Sequence, residues 1–178
     1  NNAFKQKNIN AIYKSFYSKD ILESISAVKI LGIKGFAVSM PFKTEIVQYL
    51  DKVDDSVKDI GACNTVIIRD NKLYGYNTDW QGVYMYLLKN KITSLSIYGN
   101  GGFSKAIQYA CGQLKINFEV ITRSNWNQIP KYKYKFNATP VKIEHENLID
   151  GRPHTVTGMI IAGLQANEQY KIYTNELS

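Results

Sequence analysis

Between Ser94 and Thr122 the chain reads strand, glycine turn, helix, strand, and this order constrains the fold more than any other feature. Ser94 to Tyr98 is a short apolar run, and Gly99-Asn100-Gly101-Gly102 is a turn. Phe103 to Leu114 has helical spacing, and Phe118 to Thr122 is a second strand. Such a βαβ unit belongs to a parallel sheet, and a glycine turn at its first crossover is where a dinucleotide fold holds pyrophosphate. Gly99 permits the tight turn, Gly101 lets backbone approach a phosphate, and the helix N-terminus adds a positive dipole. Ser104 stands where a third glycine or alanine usually packs. A simple helix cap is the plain alternative; the flanking strand and helix argue for the nucleotide site.

The first half is also α/β. Residues 9–17 alternate like a strand. Asp20, with Glu23 three residues on, reads as a capping box for a helix carrying Ile21, Leu22, Ile25 and Val28, which Gly32 closes. Gly35 to Ser39 reads as a short buried strand. Pro41 should open a helix that turns Ile46, Val47 and Leu50 inward. Thr65–Arg69 and Lys72–Tyr76 bracket Asp70-Asn71 as a hairpin, giving the order β-α-β-α-β-β. Asp79 to Lys89 follows as a helix with Val83, Tyr86 and Leu87 on one face. The boundary between two lobes is expected within residues 80–92.

After Arg123 the pattern thins. Ser124 to Lys135 is about the dozen residues a parallel crossover needs for the connection alone. Residues 141–157 carry no clear periodicity, so this lobe is expected to be abbreviated. A final helix is expected from Gly158 to Tyr173, with Gln165 and Gln169 one turn apart.

Composition removes several classes. With 178 residues, 44% hydrophobic and 21% charged, the chain has a globular rather than a disordered balance. No apolar run approaches the roughly 20 residues of a membrane helix. The N-terminus, Asn1-Asn2-Ala3-Phe4, lacks a signal-like pattern and reads as a chain entered partway through. Cys63 and Cys111 have no CxxC or Cys/His neighbourhood, so both are read as core hydrophobes and no metal is expected. Two lone thiols suit a reducing cytoplasm. The net charge of +7 suits anionic small molecules, or nucleic acid. Scattered lysines, clustered only at Lys131, Lys133 and Lys135, argue against specific nucleic-acid binding.

Lys43 follows Pro41-Phe42 at a strand-to-helix junction, where parallel strands open to a crevice. A lysine there can protonate a carbonyl oxygen as hydride arrives; otherwise it is a solvated helix-start residue. Asp79 could be an N-cap, or could accept a substrate hydroxyl and hold Lys43 in register. Asn64-Thr65 could bind a ring hydroxyl or merely form a turn. For the cofactor, an NAD site would place a carboxylate roughly 20 residues after the first glycine. Thr122-Arg123-Ser124 stands there instead, and Arg123 could pair with a 2′-phosphate, which favours NADP.

These residues resemble the shikimate dehydrogenase family. The family's threonine-x-Pro-Phe-Lys, Gly-Ala-x-Asn-Thr and Gly-Tyr-Asn-Thr-Asp are matched by Ser39-Met40-Pro41-Phe42-Lys43, Gly61-Ala62-Cys63-Asn64-Thr65 and Gly75-Tyr76-Asn77-Thr78-Asp79. Its Asn-Arg-Thr resembles Thr122-Arg123-Ser124, its Asn-Ala-Thr matches Asn137-Ala138-Thr139, and its Gln-Ala-x-x-x-Phe resembles Gln165 to Tyr170. The wording around Ser39 and Gln165 is nearest the divergent shikimate dehydrogenase-like branch.

The resemblance implies NADP-dependent, reversible reduction of 3-dehydroshikimate to shikimate on the chorismate and aromatic amino-acid route. It implies Lys43 and Asp79 as the catalytic pair, with Ser39, Asn64, Thr78 and Gln165 around the substrate. It implies cofactor contacts from Gly99, Asn100, Gly101, Gly102, Phe103, Ser104, Thr122, Arg123, Ser124, Asn137, Ala138, Thr139 and Gly158. The expected domains are a substrate-binding catalytic domain over 1–80, with the 158–178 helix packing back on it. A Rossmann-type NADP-binding domain follows over 81–157, and both are expected to be incomplete. The expected partner is a small anionic substrate, with no nucleic acid and no membrane, and a homodimer is the assembly to look for.

Three departures stand out. The family's Ser-x-Ser, which grips the substrate carboxylate, would lie before Asn1. Ser39 replaces a threonine, and the Asp-x-x-Tyr-Asn-Pro strand has no match in 141–157. The alternatives are a shikimate/quinate dehydrogenase-like protein of weak or different activity, and a non-catalytic nucleotide-binding relative. A basic nucleic-acid-binding protein is a third.

Overall fold

Two four-stranded sheets, linked through packed helices, make up a computed structural model that describes residues 1–175. The first sheet has the order β1-β3-β4-β2, from β1 (Gly35–Ala37), β2 (Lys52–Val53), β3 (Thr65–Arg69) and β4 (Lys72–Tyr76). The hairpin of β3 and β4 is antiparallel, with Asp70 at φ 49° and Asn71 at φ 60° making its turn. β1 runs antiparallel to β3, and β2 runs parallel to β4. The second sheet is wholly parallel, in the order β6-β5-β7-β8, from β5 (Ser94–Tyr98), β6 (Asn117–Ile121), β7 (Tyr134–Asn137) and β8 (Leu148–Asp150).

The helices are α1 (Asn2–Gln6), α2 (Ile21–Ile30), α3 (Asp55–Ile60), α4 (Asp79–Lys89), α5 (Gly102–Leu114) and α6 (Val156–Thr174). The Asp20 carboxylate caps α2 by accepting from the Glu23 N–H at 2.9 Å. Gly32, at φ 65°, ends it with the Ile33 N–H returning to the Val28 carbonyl. Ile46, Val57, Val66 and Leu73 are buried in one core, and Leu95, Ile97, Ile107 and Phe136 in a second. Cys63 and Cys111 each lie inside one of these cores, and burial pushes both thiols up to about 12. α4 bridges the halves, packing on both α5 and α6, and α6 also reaches β3 and β8. Of the 158–178 helix expected from sequence, residues 176–178 lie outside the described residues.

Several expectations are corrected. Residues 9–17 form no strand. Tyr13 instead gives its N–H to the Asn1 Oδ1 at 2.7 Å, while Asn1 Nδ2 donates to the Tyr13 carbonyl at 3.0 Å. The asparagine amide supplies both bonds that a neighbouring strand would make. β1 ends at Ala37 and is half-buried to exposed rather than fully buried.

The helix expected after Pro41 is a single 3-10 turn, Glu45–Tyr49. Asp51 ties the chain to β4 immediately afterwards: its N–H donates to the Leu73 carbonyl, and its carboxylate accepts the Leu73 N–H at 2.7 Å. That anchor leaves room for one turn only.

From β6 the chain reaches β7 on the far side of β5 with only a 3-10 turn, Arg123–Asn125, between them. Polar bonds hold this bare crossover in place of a helix. The Ser96 hydroxyl donates to Glu119 Oε1 at 2.5 Å and accepts the Tyr132 N–H at 3.2 Å, and the Lys131 N–H donates to the same Glu119 oxygen at 2.5 Å. Trp126 closes edge-on over Tyr98. Residues 141–157, read as aperiodic, contribute the short strand β8.

The crossing of α4 and α6 depends on Gly82. A Cβ there would lie 2.9 Å from the Gln165 N, the Gln165 Cβ and the Ile161 carbonyl oxygen. Because two of those neighbours are backbone, Gly82→Ala must push the helices apart. It is expected to lower stability by about 1–3 kcal/mol in urea denaturation; an unchanged midpoint contradicts this packing.

Candidate active site

Four chain segments converge on one ion pair. Lys43 Nζ donates to Asp79 Oδ2 at 2.6 Å, with the two side chains 20% and 11% exposed. The Lys43 carbonyl accepts the Cys63 N–H at 2.7 Å, which fixes the lysine loop against the start of β3. Asp79 opens α4, and sequence alone leaves it as a candidate N-cap. The capping oxygen is instead Asn77 Oδ1, which accepts the Asp79 N–H at 3.0 Å and the Trp80 N–H at 3.4 Å. Asn77 is held in turn by its Nδ2 donating to the Ala62 carbonyl at 2.8 Å. Capping by Asn77 leaves the Asp79 carboxylate available to the site.

Asn64 carries the other side of that carboxylate. Its Nδ2 donates to Asp79 Oδ1 at 2.9 Å and to Thr78 Oγ1 at 3.0 Å, and its Oδ1 accepts the Thr78 N–H at 2.8 Å. Both amide hydrogens are therefore engaged within the protein. Gln165, from α6, donates through Nε2 to Thr78 Oγ1 at 2.7 Å. Lys43, Asp79, Asn64, Thr78 and Gln165, chosen from sequence, thus form one hydrogen-bonded cluster. Ser39 stands apart: it is exposed, and its hydroxyl is 3.5 Å from the Met40 carbonyl. The groups left to face a ligand are two Lys43 N–H bonds, the Asp79 carboxylate and the remainder of the Gln165 amide.

The glycine turn lies directly beside this cluster. A Cβ on Gly102 would meet Ala62 Cβ at 3.3 Å and Thr44 Cγ2 at 3.9 Å, and Thr44 adjoins Lys43. Gly99 sits at φ 107°, where a side chain would also press on Thr139 Cγ2 at 2.9 Å. Asn100 is exposed beside it. Gly101 is the N-cap of α5 and has open space around its Cα, with no side chain capping the helix. The first N–H groups of α5 are thus presented to an anion.

The Ser104 hydroxyl, in the place of a third glycine, donates to the Gly99 carbonyl at 2.6 Å and is buried without orphaning its oxygen. Phe103 packs on Phe136 with ring centroids 6.0 Å apart. At the end of β6, Thr122 and Asn125 form a reciprocal cap, and the Ser124 and Thr122 hydroxyls lie 2.8 Å apart. Arg123 is exposed and has no carboxylate within ion-pair distance among the described residues. This set fits a dinucleotide: the first N–H groups of α5 would hold its pyrophosphate and Arg123 would hold a ribose phosphate.

Asn137-Ala138-Thr139 shapes the turn beneath it. Asn137 Oδ1 accepts the Thr139 N–H at 3.0 Å and its hydroxyl at 2.7 Å, and Asn137 Nδ2 donates to the Val141 carbonyl at 2.9 Å. The Ala138 N–H donates to the Tyr98 carbonyl at 2.9 Å. The Asn137 side chain is therefore engaged in the turn. Gly158 lies in the first turn of α6, against the Arg152 carbonyl oxygen, so its place is set by close packing.

With this geometry established, known proteins give it a context. Residues 1–66 match the model of the shikimate dehydrogenase substrate binding domain. A shikimate dehydrogenase (NADP(+)) from Clostridium beijerinckii is 41% identical over 113 residues, which are 60% of this chain and 42% of that protein. One from Clostridium botulinum is 33% identical over 99% of this chain and 70% of that protein. The chain belongs to the shikimate dehydrogenase family. Shikimate dehydrogenase 1 from Peptoclostridium difficile has the same fold, with a TM-score of 0.81, 29% identity, and coverage of 98% of this chain and 84% of that one. The aligned part spans less than half of the C. beijerinckii relative.

Two residues of the cluster carry no role in the family pattern quoted above. Asn77 belongs to the Gly-Tyr-Asn-Thr-Asp motif, and an asparagine two residues before a helix start is itself a capping signal. Gln169 stands one turn from Gln165, and nothing local in the sequence marks it.

Near the nucleotide turn, Asp150 and Arg152 form a forked pair, with Nε and Nη2 of the arginine at 2.7–3.1 Å from both carboxylate oxygens. Burial opposes ionisation of Asp150, but the bonds from Arg152 and Asn137 outweigh it and hold the carboxyl below its ordinary value. Its ionised form therefore stabilises the fold above the unfolded pKa of about 3.9, and that contribution is lost as pH falls through the lower folded value. Melting temperature between neutrality and about pH 3 should fall more steeply for the wild type than for Asp150→Asn. Equal slopes contradict the pairing.

Proposed function

We propose that this site carries out the NADP-dependent, reversible reduction of 3-dehydroshikimate to shikimate. The observation that carries the reading is the Lys43–Asp79 contact at 2.6 Å, set beside an uncapped glycine turn on α5. NADP, when bound, supplies or accepts the hydride. Lys43 Nζ, with two N–H bonds not used by Asp79, protonates the substrate carbonyl oxygen in reduction and takes the hydroxyl proton back in oxidation. Asp79 holds Nζ in place and accepts a neighbouring ring hydroxyl, and Gln165 offers its amide to another.

The same reading assigns residues 1–80, with the helix from 158 packing back on them, to the substrate, and 81–157 to the nucleotide. Two buried free thiols suit a reducing cytoplasm. Among the described residues no helix is long and apolar enough to cross a membrane.

The test is NADPH formation from shikimate and NADP⁺, with quinate and NAD⁺ as parallel arms. Turnover is expected with shikimate and NADP⁺, and Lys43→Ala should cut kcat by about 10²–10⁴-fold with NADPH affinity unchanged. Turnover of shikimate that survives in Lys43→Ala removes the lysine from the mechanism. Arg123→Ala should weaken NADPH binding about tenfold and leave NADH binding as it was; an unaltered preference excludes the phosphate clamp.

A further inference from the structure

α6 delivers two amides, one turn apart, to the two hydroxyls that flank Asn64. Gln165 reaches Thr78, and Gln169, only 9% exposed, donates through Nε2 to Thr65 Oγ1 at 2.9 Å and to the Asn64 carbonyl at 3.5 Å. The Thr65 hydroxyl then donates to Asn64 Oδ1 at 2.9 Å. We infer that Gln169 is a positioning residue: through Thr65 it fixes the orientation of the Asn64 carboxamide, and so the Asp79 carboxylate against Lys43.

The hydrogen-bond chemistry sets the direction of the chain. The Thr78 N–H can only donate, so the Asn64 atom 2.8 Å away must be its oxygen, and the amide nitrogen must face Asp79. The Asn64 backbone carbonyl can only accept, so the Gln169 atom beside it is the amide nitrogen. The Thr65 proton goes to Asn64 Oδ1 at 2.9 Å, and Thr78 Oγ1 lies 3.2 Å from the same hydroxyl. Thr78 Oγ1 already accepts from Asn64 and Gln165, so its own proton must also go to Asn64 or Thr65. With Gln169 donating to Thr65, that hydroxyl turns its lone pair to the helix and its proton to Asn64. Without Gln169, no donor holds the Thr65 lone pair toward α6, so the hydroxyl can turn its proton away from Asn64, which then loses a donor that opposes an amide flip. A flipped amide would set an oxygen against the Asp79 carboxylate, a repulsive contact. Gln169 is separated from the ligand-facing groups by Thr65, so it acts only through its neighbours.

The inference rests on the proposed reaction for its effect on rate, but the hydrogen-bond chain itself can be read without substrate. Protein labelled with ¹⁵N-asparagine gives the solvent exchange of the Asn64 amide protons, identified by their loss in Asn64→Ala. Gln169→Leu and Thr65→Val are each expected to speed that exchange about tenfold, and the double variant no further. Unchanged exchange in Gln169→Leu, or multiplied effects in the double variant, overturns the inference.

Gln169→Glu keeps the volume while making residue 169 an acceptor. Its Asn64 exchange, referred to wild type at each pH, should be fast at neutrality and return toward wild type as the carboxyl protonates. A ratio that does not change with pH also overturns the inference. In turnover of shikimate, Gln169→Leu should lower kcat about tenfold with KM for NADP⁺ unchanged, again without further loss in the double variant. A wild type that fails to turn over shikimate while showing the expected exchange pattern removes the proposed reaction and leaves the positioning role standing.

Discussion

Withdrawing a lysine and an aspartate from water costs more than their attraction returns unless their remaining hydrogen-bonding positions are met. The pair of Lys43 and Asp79 is largely withdrawn in this way, and the rest of the site is arranged around that need. Asp79 takes one bond from the lysine and one from Asn64, while Asn77 relieves it of capping α4. Asn64 in turn requires the Thr78 backbone, the Thr65 hydroxyl and, behind them, α6. The lysine loop, the start of β3, the start of α4 and the middle of α6 must therefore be placed together or not at all. Such an arrangement contributes less to stability than to geometry, which is what a proton-transferring pair needs.

The same convergence couples the two sheets. Gly82 lets α4 and α6 approach until Gln165 reaches Thr78, and Gly102 lets α5 rest on Ala62 beside Lys43. The nucleotide turn is thereby tied to the lysine loop by close packing. The second sheet keeps this contact because the Glu119–Ser96 bonds and the Trp126–Tyr98 stack hold the crossover from β6 to β7 where a helix would ordinarily do so.

Elements governed by local rules were legible in the sequence. The hairpin about Asp70-Asn71, α4, β5, the glycine turn and the Asp20 cap follow from spacing and turn chemistry, and the structure has them within a residue. Elements governed by distant contacts were not. Residues 9–17 alternate as a strand, yet the partner of Tyr13 is the side chain of Asn1. The run after Pro41 has helical spacing, but Asp51 is tied to β4 and permits one turn. β8 is three residues long and defined only by its pairing with β7. Within the site, Lys43, Asn64, Thr78, Asp79 and Gln165 could be chosen because they sit in ordered motifs. The capping by Asn77 is a local signal, whereas the bond from Gln169 to Thr65 appears only when segments more than a hundred residues apart in sequence are brought together.

Whether Lys43 and Asp79 act as one unit is read by a double-mutant cycle on kcat/KM for shikimate. Lys43→Met, Asp79→Asn and the double variant should be compared with wild type under one set of conditions. If the two act together, the double variant should be within about threefold of the slower single variant, because either change alone already disables the pair. Losses that multiply in the double variant would show two independent groups and contradict the account.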